Sequence, residues 1–311
     1  MNFNSVSNKK KSKLVSSLLK TISIMFCIAG VCVFYLNTYI NKVTIEQEKK
    51  QTLIQTVQYN KSEVSSWIKT QISQLDLMQY SFQSMLPTNL TQENIFSVLK
   101  NSTENSSNDG VISDYVVLTD KTMISGDGWV PDASYDPTQN DYYIKPQTMD
   151  IYISEPYVDA NTGDFIITIS MPLKYSGSFY GVLARDVSMS AVQNIFDEYD
   201  TSDGSYLYLL DSNNSILSHI NDDYETSDTK KVNVENIDVP AMQQSIDNIL
   251  KSKDYDNKQK FFYAEKEETS GWIIGLSYPQ SIVTNELIQQ MFMNLIIFSV
   301  IIIAGLSILV I

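Results

Sequence analysis

EPYVDANTGDFIITISMPLKYSGSFYGVLARDVSM, residues 155–189, decides the fold of this chain. Two runs rich in β-branched and aromatic residues, FIITISMPL (residues 165–173) and GVLARDVSM (residues 181–189), flank KYSGS, and DANTGD precedes the first. Both connectors carry the small and polar residues of tight turns. Strands joined by so few residues pair antiparallel, because a parallel crossover needs a dozen or more. Side chains alternate across a strand, so Arg185 and Asp186 are expected on opposite faces of the sheet. Upstream, YVVLTD (residues 115–120) and DIYISEPYVD (residues 150–159) read as further strands. Residues 91–100 read as a short helix, the polar run NSTENSSNDG (residues 101–110) as a loop, and residues 191–199 as a helix.

Downstream the pattern returns in weaker form. SYLYLLDSNNSILSHI (residues 205–220) repeats the strand-turn-strand shape of YVVLTDKTMIS (residues 115–125). A helical stretch is expected near residues 241–251, followed by two strands around a turn in KFFYAEKEETSGWIIGLSYP (residues 260–279). The expected fold is α+β, with two antiparallel-sheet modules in series. Ahead of both lies a helical stripe: Val57, Val64, Ile68, Ile72, Leu75, Phe82 and Leu86 recur at spacings built from three and four, flanked by Trp67 and Met78. Pro87 follows, where a helix can end. The stripe suits either a coiled-coil seam between two copies of the chain or the back of a domain.

The two ends are apolar. Residues 21–40 and residues 291–311 carry no charge and are long enough to cross a ~30 Å hydrocarbon layer. Lys9, Lys10, Lys11, Lys13 and Lys20 precede the first, which puts the N-terminus in the cytoplasm by the positive-inside rule. A signal peptide is the competing reading, but no clear small-residue cleavage site ends the segment and a helical pattern runs on from it. The expected organisation is a basic tail (residues 1–20), a first span (21–40), an extracellular region (41–290) and a second span (291–311). The extracellular region comprises a long helix (41–87), a distal module (88–198) and a membrane-proximal module (199–290). It contains no cysteine and must stand on its own core. No kinase, cyclase or methylation-helix pattern occurs in the sequence, which is expected to be a truncated receptor or a stand-alone sensor.

Composition excludes several functions. The net charge of −14 over 311 residues argues against sequence-independent nucleic-acid binding. A single histidine, His219, and two cysteines, Cys27 and Cys32, make a His/Cys zinc site untenable, so no metal or cofactor is expected. His219 lies in no hydrolase-like motif and reads as a surface or pocket-edge residue. No carboxylate pair stands out for glycoside hydrolysis. No catalytic residue is assigned, and an enzyme is not expected.

Four stretches in order carry a resemblance: YDPTQNDYYIKPQ (residues 135–147), EPYVDANTGDFIITISMPL (residues 155–173), GVLARDVSM and GWIIGLSYP (residues 271–279). Between two spans and after a long helix, they resemble the double Cache sensor domain of bacterial chemoreceptors over residues 41–290. The resemblance implies two PAS-like modules, a ligand in the distal one, and a receptor for chemotaxis; sensor regions of histidine kinases or diguanylate cyclases are the alternatives. A homodimer in the membrane is expected through the helical stripe from Val57 to Leu86, with cytoplasmic signalling partners where an output domain follows. In members that bind amino acids, a tyrosine and an arginine hold the ligand carboxylate, a tryptophan-tyrosine pair walls the pocket, and an aspartate binds the amino group. Carried over, these positions are Tyr135, Asn140 in place of the arginine, Tyr142, Tyr143, the hairpin's Tyr157, and Asp186.

Asn140 offers only neutral donors, and the fixed fork of arginine that suits a carboxylate is missing. Lys145 could supply a point charge, but nothing in the sequence fixes it there. Asp186 and the tyrosines suit an ammonium group through charge pairing and cation–π attraction. The expected ligand is therefore an amine-bearing small molecule. Asp159 and Asn161 read as turn residues, and Gly271 and Trp272 as turn and core. A reporter enzyme that works only in the cytoplasm, fused after Ile311, should be active; a reporter there that is active only outside the cell would reverse the expected topology.

Overall fold

The computed structural model describes residues 3–85, 91–197 and 199–310, so Leu86 and Pro87 lie outside the described residues. The chain divides into two compact units, Leu53–Tyr278 and the pair Met1–Thr52 with Pro279–Ile311.

In the first of these, helix α1 (Phe3–Met85) contributes its C-terminal portion. The apolar stripe is buried within the chain itself: Val57, Val64, Ile68, Leu75 and Phe82 are all closed off from solvent. Each such side chain contributes roughly 1.5–3 kcal/mol of burial. The stripe is thus the back of a domain. It is not a free seam for a second copy, and a homodimer through these residues is not available. The opposite face exposes Tyr59, Leu77 and Tyr80.

Helix α2 (Gln92–Ser106) is capped by the Thr91 hydroxyl, which accepts from the Asn94 N–H. It extends through most of the polar run expected to be a loop. The reason lies in its inward face: Ile95, Leu99, Thr103 and Ser106 are buried at helical spacing, and the two small polar residues find partners there. Thr103 accepts from the Asp114 N–H at 2.9 Å. A stripe that ends in Thr and Ser carries little hydrophobic signal.

Strands β1 (Val111–Leu118) and β2 (Met123–Ser125) follow, then a one-turn helix α3 (Asp141–Ile144). The expected strand over residues 150–159 is two short ones, β3 (Tyr152–Ile153) and β4 (Tyr157–Val158). Pro156 separates them, since proline cannot donate to the ladder. The hairpin that opened the sequence reading is β5 (Phe165–Tyr175) and β6 (Ser178–Ser188), antiparallel throughout, and helix α4 (Met189–Asp197) closes the module. The sheet order is β2-β1-β6-β5-β3, with β4 also on β5.

The second sheet holds β7 (Tyr206–Leu210), β8 (Ile216–Ser218), β9 (Leu250–Lys253), β10 (Gln259–Lys266) and β11 (Ile273–Pro279) in the order β8-β7-β11-β10-β9. That order reproduces the first sheet strand for strand, so the weaker echo in the sequence is a structural repeat. The helix expected over residues 241–251 is only α5 (Ala241–Gln244). Asp247 sits at φ 56, a left-handed conformation that stops a helix, and residues 250–253 pair with β10. In the other unit, α1 and helix α6 (Gln280–Val310) each contain a segment long and apolar enough to cross a membrane. Lys49 and Glu286 join these two helices at 2.8 Å.

One buried ion pair ties the first sheet to both helices behind it. Arg185, the only arginine in the sequence, is fully buried. Its Nε donates to Asp114 Oδ1 at 2.7 Å and its Nη2 to Asp114 Oδ2 at 3.0 Å. The remaining donors reach Gln71 at 2.8 Å, Gln74, and Ser102 at 3.1 Å. All five guanidinium N–H groups are thereby matched. Removing one partner strands a buried charge. Asp114→Ala should lower unfolding stability by about 3–5 kcal/mol, whereas Asp114→Leu with Arg185→Met should cost much less. Urea unfolding of the full chain in micelles measures both; a single variant within about 0.5 kcal/mol of wild type would contradict the pairing.

Candidate ligand-binding site

The same strand that buries Arg185 behind the sheet presents Asp186 in front of it. Asp186 lies opposite Ser113 on β1 and Thr168 on β5, while Arg185 lies opposite Asp114 and Ile169. The front face opens into a cavity of about 120 Å³. Its floor is Ser113, Tyr115 and Asp186, and its walls include Tyr142, Tyr157, Tyr135 and Asn140. The mouth is formed by Asp127, Trp129, Asp159 and Asn161. The cavity is close in size to the ~150 Å³ that accommodates benzene elsewhere.

Gly126 lets this architecture form. A Cβ there would sit 2.7 Å from the Leu99 backbone, so only glycine allows β2 to pass α2 and deliver Asp127 to the mouth. Asp127 then organises its surroundings: it accepts from Ser125 Oγ at 2.6 Å, the Trp129 N–H at 2.9 Å and Asn161 Nδ2 at 2.7 Å.

Five of the six residues expected at the site line one cavity: Tyr135, Asn140, Tyr142, Tyr157 and Asp186. Tyr143 does not. Neighbouring residues on α3 face different ways, and its ring stands edge-on to Phe179 at 5.7 Å. Lys145 is exposed and outside the cavity lining. Asp159 and Asn161, expected to serve only a turn, stand at the mouth, although Asp159 Oδ2 does accept from Thr162 within the turn. Tyr115, Asp127 and Trp129 were not singled out from the sequence. The alternation of β1 could have pointed to Tyr115; nothing local marks the other two.

The hydrogen bonds fall into two groups. Asn140 Nδ2 donates to the hydroxyls of Tyr135 and Tyr142, each at 3.2 Å, and those hydroxyls lie 2.9 Å apart. Its amide therefore braces the wall. In the second group, Tyr115 donates to Asp186 Oδ1 at 3.0 Å and Thr168 to the same oxygen at 2.6 Å. The Thr168 hydroxyl in turn accepts from Tyr157 at 2.6 Å. Among the described residues, Asp186 Oδ2 has no protein donor. Burial pushes the Asp186 carboxyl up to about 8; hydrogen bonds from Thr168 and Tyr115 oppose this, and the charges of Asp159 and Asp114 add to it. Burial also raises Tyr115, Tyr157 and Tyr142 above the usual phenol range.

The module of the second sheet carries a buried cation of its own. Lys260 is buried, pairs with buried Asp254 at 2.9 Å, and lies 4.7 Å above the Tyr206 ring and 5.5 Å from that of Tyr255. Tyr206 and Ser277 donate to the same carboxylate at 2.8 Å and 3.0 Å. His219 is also here and is no surface residue: it is only 4% exposed, ringed by Tyr206, Tyr224 and Tyr255, and burial holds it down to about 4.

Residues 41–287 match the Cache domain family, and the chain belongs to that family. The methyl-accepting chemotaxis protein PscA of Pseudomonas syringae pv. tomato is 22% identical over 203 residues, 65% of this chain and 31% of that protein. The chain spans about a third of the length of the curated relatives PscA and PctB. The ligand-binding domain of the Pseudomonas fluorescens chemoreceptor CtaA in complex with L-serine superposes with TM-score 0.61 at 18% identity, covering 76% of this chain and 99% of that one. The ligand-binding domain of the Pseudomonas aeruginosa amino acid chemoreceptor PctB with L-Gln gives TM-score 0.61 at 19% identity over 75% and 91% of the two chains. These likenesses establish the fold.

The titration of Asp186 has a thermodynamic consequence. Its carboxyl is protonated in the empty folded chain up to about pH 8 but ionised above about pH 4 when unfolded. Its contribution to stability is thus complete at low pH and is lost as pH rises through about 8. Asp186→Asn removes that loss. The melting temperature of the variant minus that of wild type should widen between pH 5 and pH 8 in scanning calorimetry of the ligand-free chain. A gap that stays flat would contradict the raised pKa.

Proposed function

We propose that this chain is the ligand-sensing part of a bacterial transmembrane chemotaxis receptor, with residues 41–290 extracellular, and that its distal module binds a small amine at Asp186. One observation carries the reading: a buried carboxylate with a free oxygen faces an aromatic cavity whose lining contains no lysine, arginine or histidine. A buried carboxylate without a cation is costly, and an ammonium group supplies the cation and the missing donors together. The ring faces around it add cation–π attraction. Lys260 in the proximal module supports this, since the chain there meets a buried carboxylate among tyrosines with an ammonium of its own.

The solved relatives named above hold amino acids, which need a partner for their carboxylate as well. Here the residue in the arginine's place is Asn140, and its amide hydrogens are engaged by Tyr135 and Tyr142. That favours an amine over a standard amino acid. Signalling would use the alternation of β6. Movement of Asp186 toward a ligand displaces Arg185, which grips Gln71 and Gln74 of α1, and α1 also carries the first apolar span. Lipid around the two spans, and the cytoplasmic partners of the chemotaxis class, are the remaining partners of this reading.

Calorimetry of the full chain in lipid nanodiscs against amines, amino acids, dicarboxylates and sugars tests it. An amine should bind. Asp186→Ala removes a charge-assisted contact of roughly 1.5–3 kcal/mol and should weaken it about tenfold or more. Asn140→Arg should shift preference toward ligands that also carry a carboxylate. Binding of a dicarboxylate or a sugar with no amine bound would refute the assignment.

A further inference from the structure

The cavity at Asp186 has a second carboxylate with unused capacity. Asp159 follows β4 at the mouth, and only its Oδ2 is engaged, by the N–H and hydroxyl of Thr162 at 2.8 Å and 2.9 Å. Among the described residues its Oδ1 has no protein donor. Asp127, also at the mouth, differs: both of its oxygens are occupied, by Ser125, Trp129 and Asn161. Two of the three acids in the lining therefore present a free oxygen, one at the floor and one at the entrance. Asp159 is close enough for its charge to raise the Asp186 carboxyl further. The aromatic rings of Tyr142, Tyr157 and Trp129 line the space between floor and mouth.

A monoamine satisfies only half of this arrangement. With one ammonium at Asp186, the cavity would still hold Asp159 and Asp127 uncompensated, and like charges with no cation between them repel. A ligand with a second ammonium at its far end and an apolar stem between satisfies both free oxygens and lays its methylene groups on the rings. The small volume of about 120 Å³ suits an unbranched stem. Building on the reading of the cavity as an amine site, we infer that its ligand is an α,ω-diamine, bound with one ammonium on Asp186 and the other on Asp159.

The test compares 1,4-diaminobutane with n-butylamine, which has the same stem and one charge, by calorimetry of the full chain in nanodiscs. 1,3-Diaminopropane and 1,5-diaminopentane are run beside them to match the span. The best diamine should bind at least about tenfold tighter than butylamine. Asp159→Asn should remove most of that advantage, weakening the diamine far more than butylamine. Asp186→Asn should weaken both ligands, and continued butylamine binding by Asp159→Asn serves as the check that this variant folds. Equal affinity for butylamine and every diamine in wild type would overturn the inference while leaving the amine site intact. So would an Asp159→Asn variant that loses affinity for both ligands in the same ratio. Binding of neither class would overturn the amine reading itself, and the inference with it.

Discussion

Two adjacent residues on β6 carry opposite duties. The alternation of a strand sends Arg185 back into a fully matched nest of Asp114, Gln71, Gln74 and Ser102, and sends Asp186 forward into the cavity. A slip of one residue in register would exchange them, placing an unpaired guanidinium in the cavity and a lone carboxylate against α1. Both errors would leave a buried charge uncompensated, so the ion pair fixes the register of β1 against β6 as firmly as the surrounding valines and isoleucines do. The position of α1 follows from the same group, since two of the five guanidinium bonds end on it.

The two modules show how one topology serves two ends. Their sheets share a strand order, and each interior holds a carboxylate among tyrosines. In the second module Lys260 supplies the cation from within the chain, paired with Asp254. In the first module no cationic side chain among the described residues lines the cavity. The Asp186 carboxyl is raised mainly by its burial, against the hydrogen bonds that Thr168 and Tyr115 donate to it.

Much of this was legible in the residues. The antiparallel hairpin of β5 and β6, the opposed faces of Arg185 and Asp186, and the repeat of the sheet in weaker form follow from period-two patterning and turn chemistry. The site residues Tyr135, Asn140, Tyr142, Tyr157 and Asp186 converge because a motif ordered along the chain folds around one cavity. Three features were beyond local reading. The C-terminal half of α2 packs through Thr103 and Ser106, whose partners on other elements are invisible in sequence. Tyr143 turns toward Phe179 because a one-turn helix gives adjacent residues different faces. Asp127, Trp129 and Asp159 reach the mouth only through loops whose paths depend on long-range packing, such as that of Gly126 against Leu99. The apolar stripe of α1 was ambiguous for a related reason: periodicity reveals that a face is buried, not what buries it.

Under the proposed function, Asp186 receives an ammonium group in this cavity. The most direct measurement is a crystal structure of the sensor with a bound amine. The ligand nitrogen should lie within hydrogen-bonding distance of Asp186 Oδ2, about 2.8 Å, with the stem against the rings of Tyr142 and Tyr157 and the Asn140 amide still joined to Tyr135 and Tyr142. A ligand whose anionic group sits against Asn140, or a nitrogen held elsewhere while Asp186 keeps its proton, would contradict it.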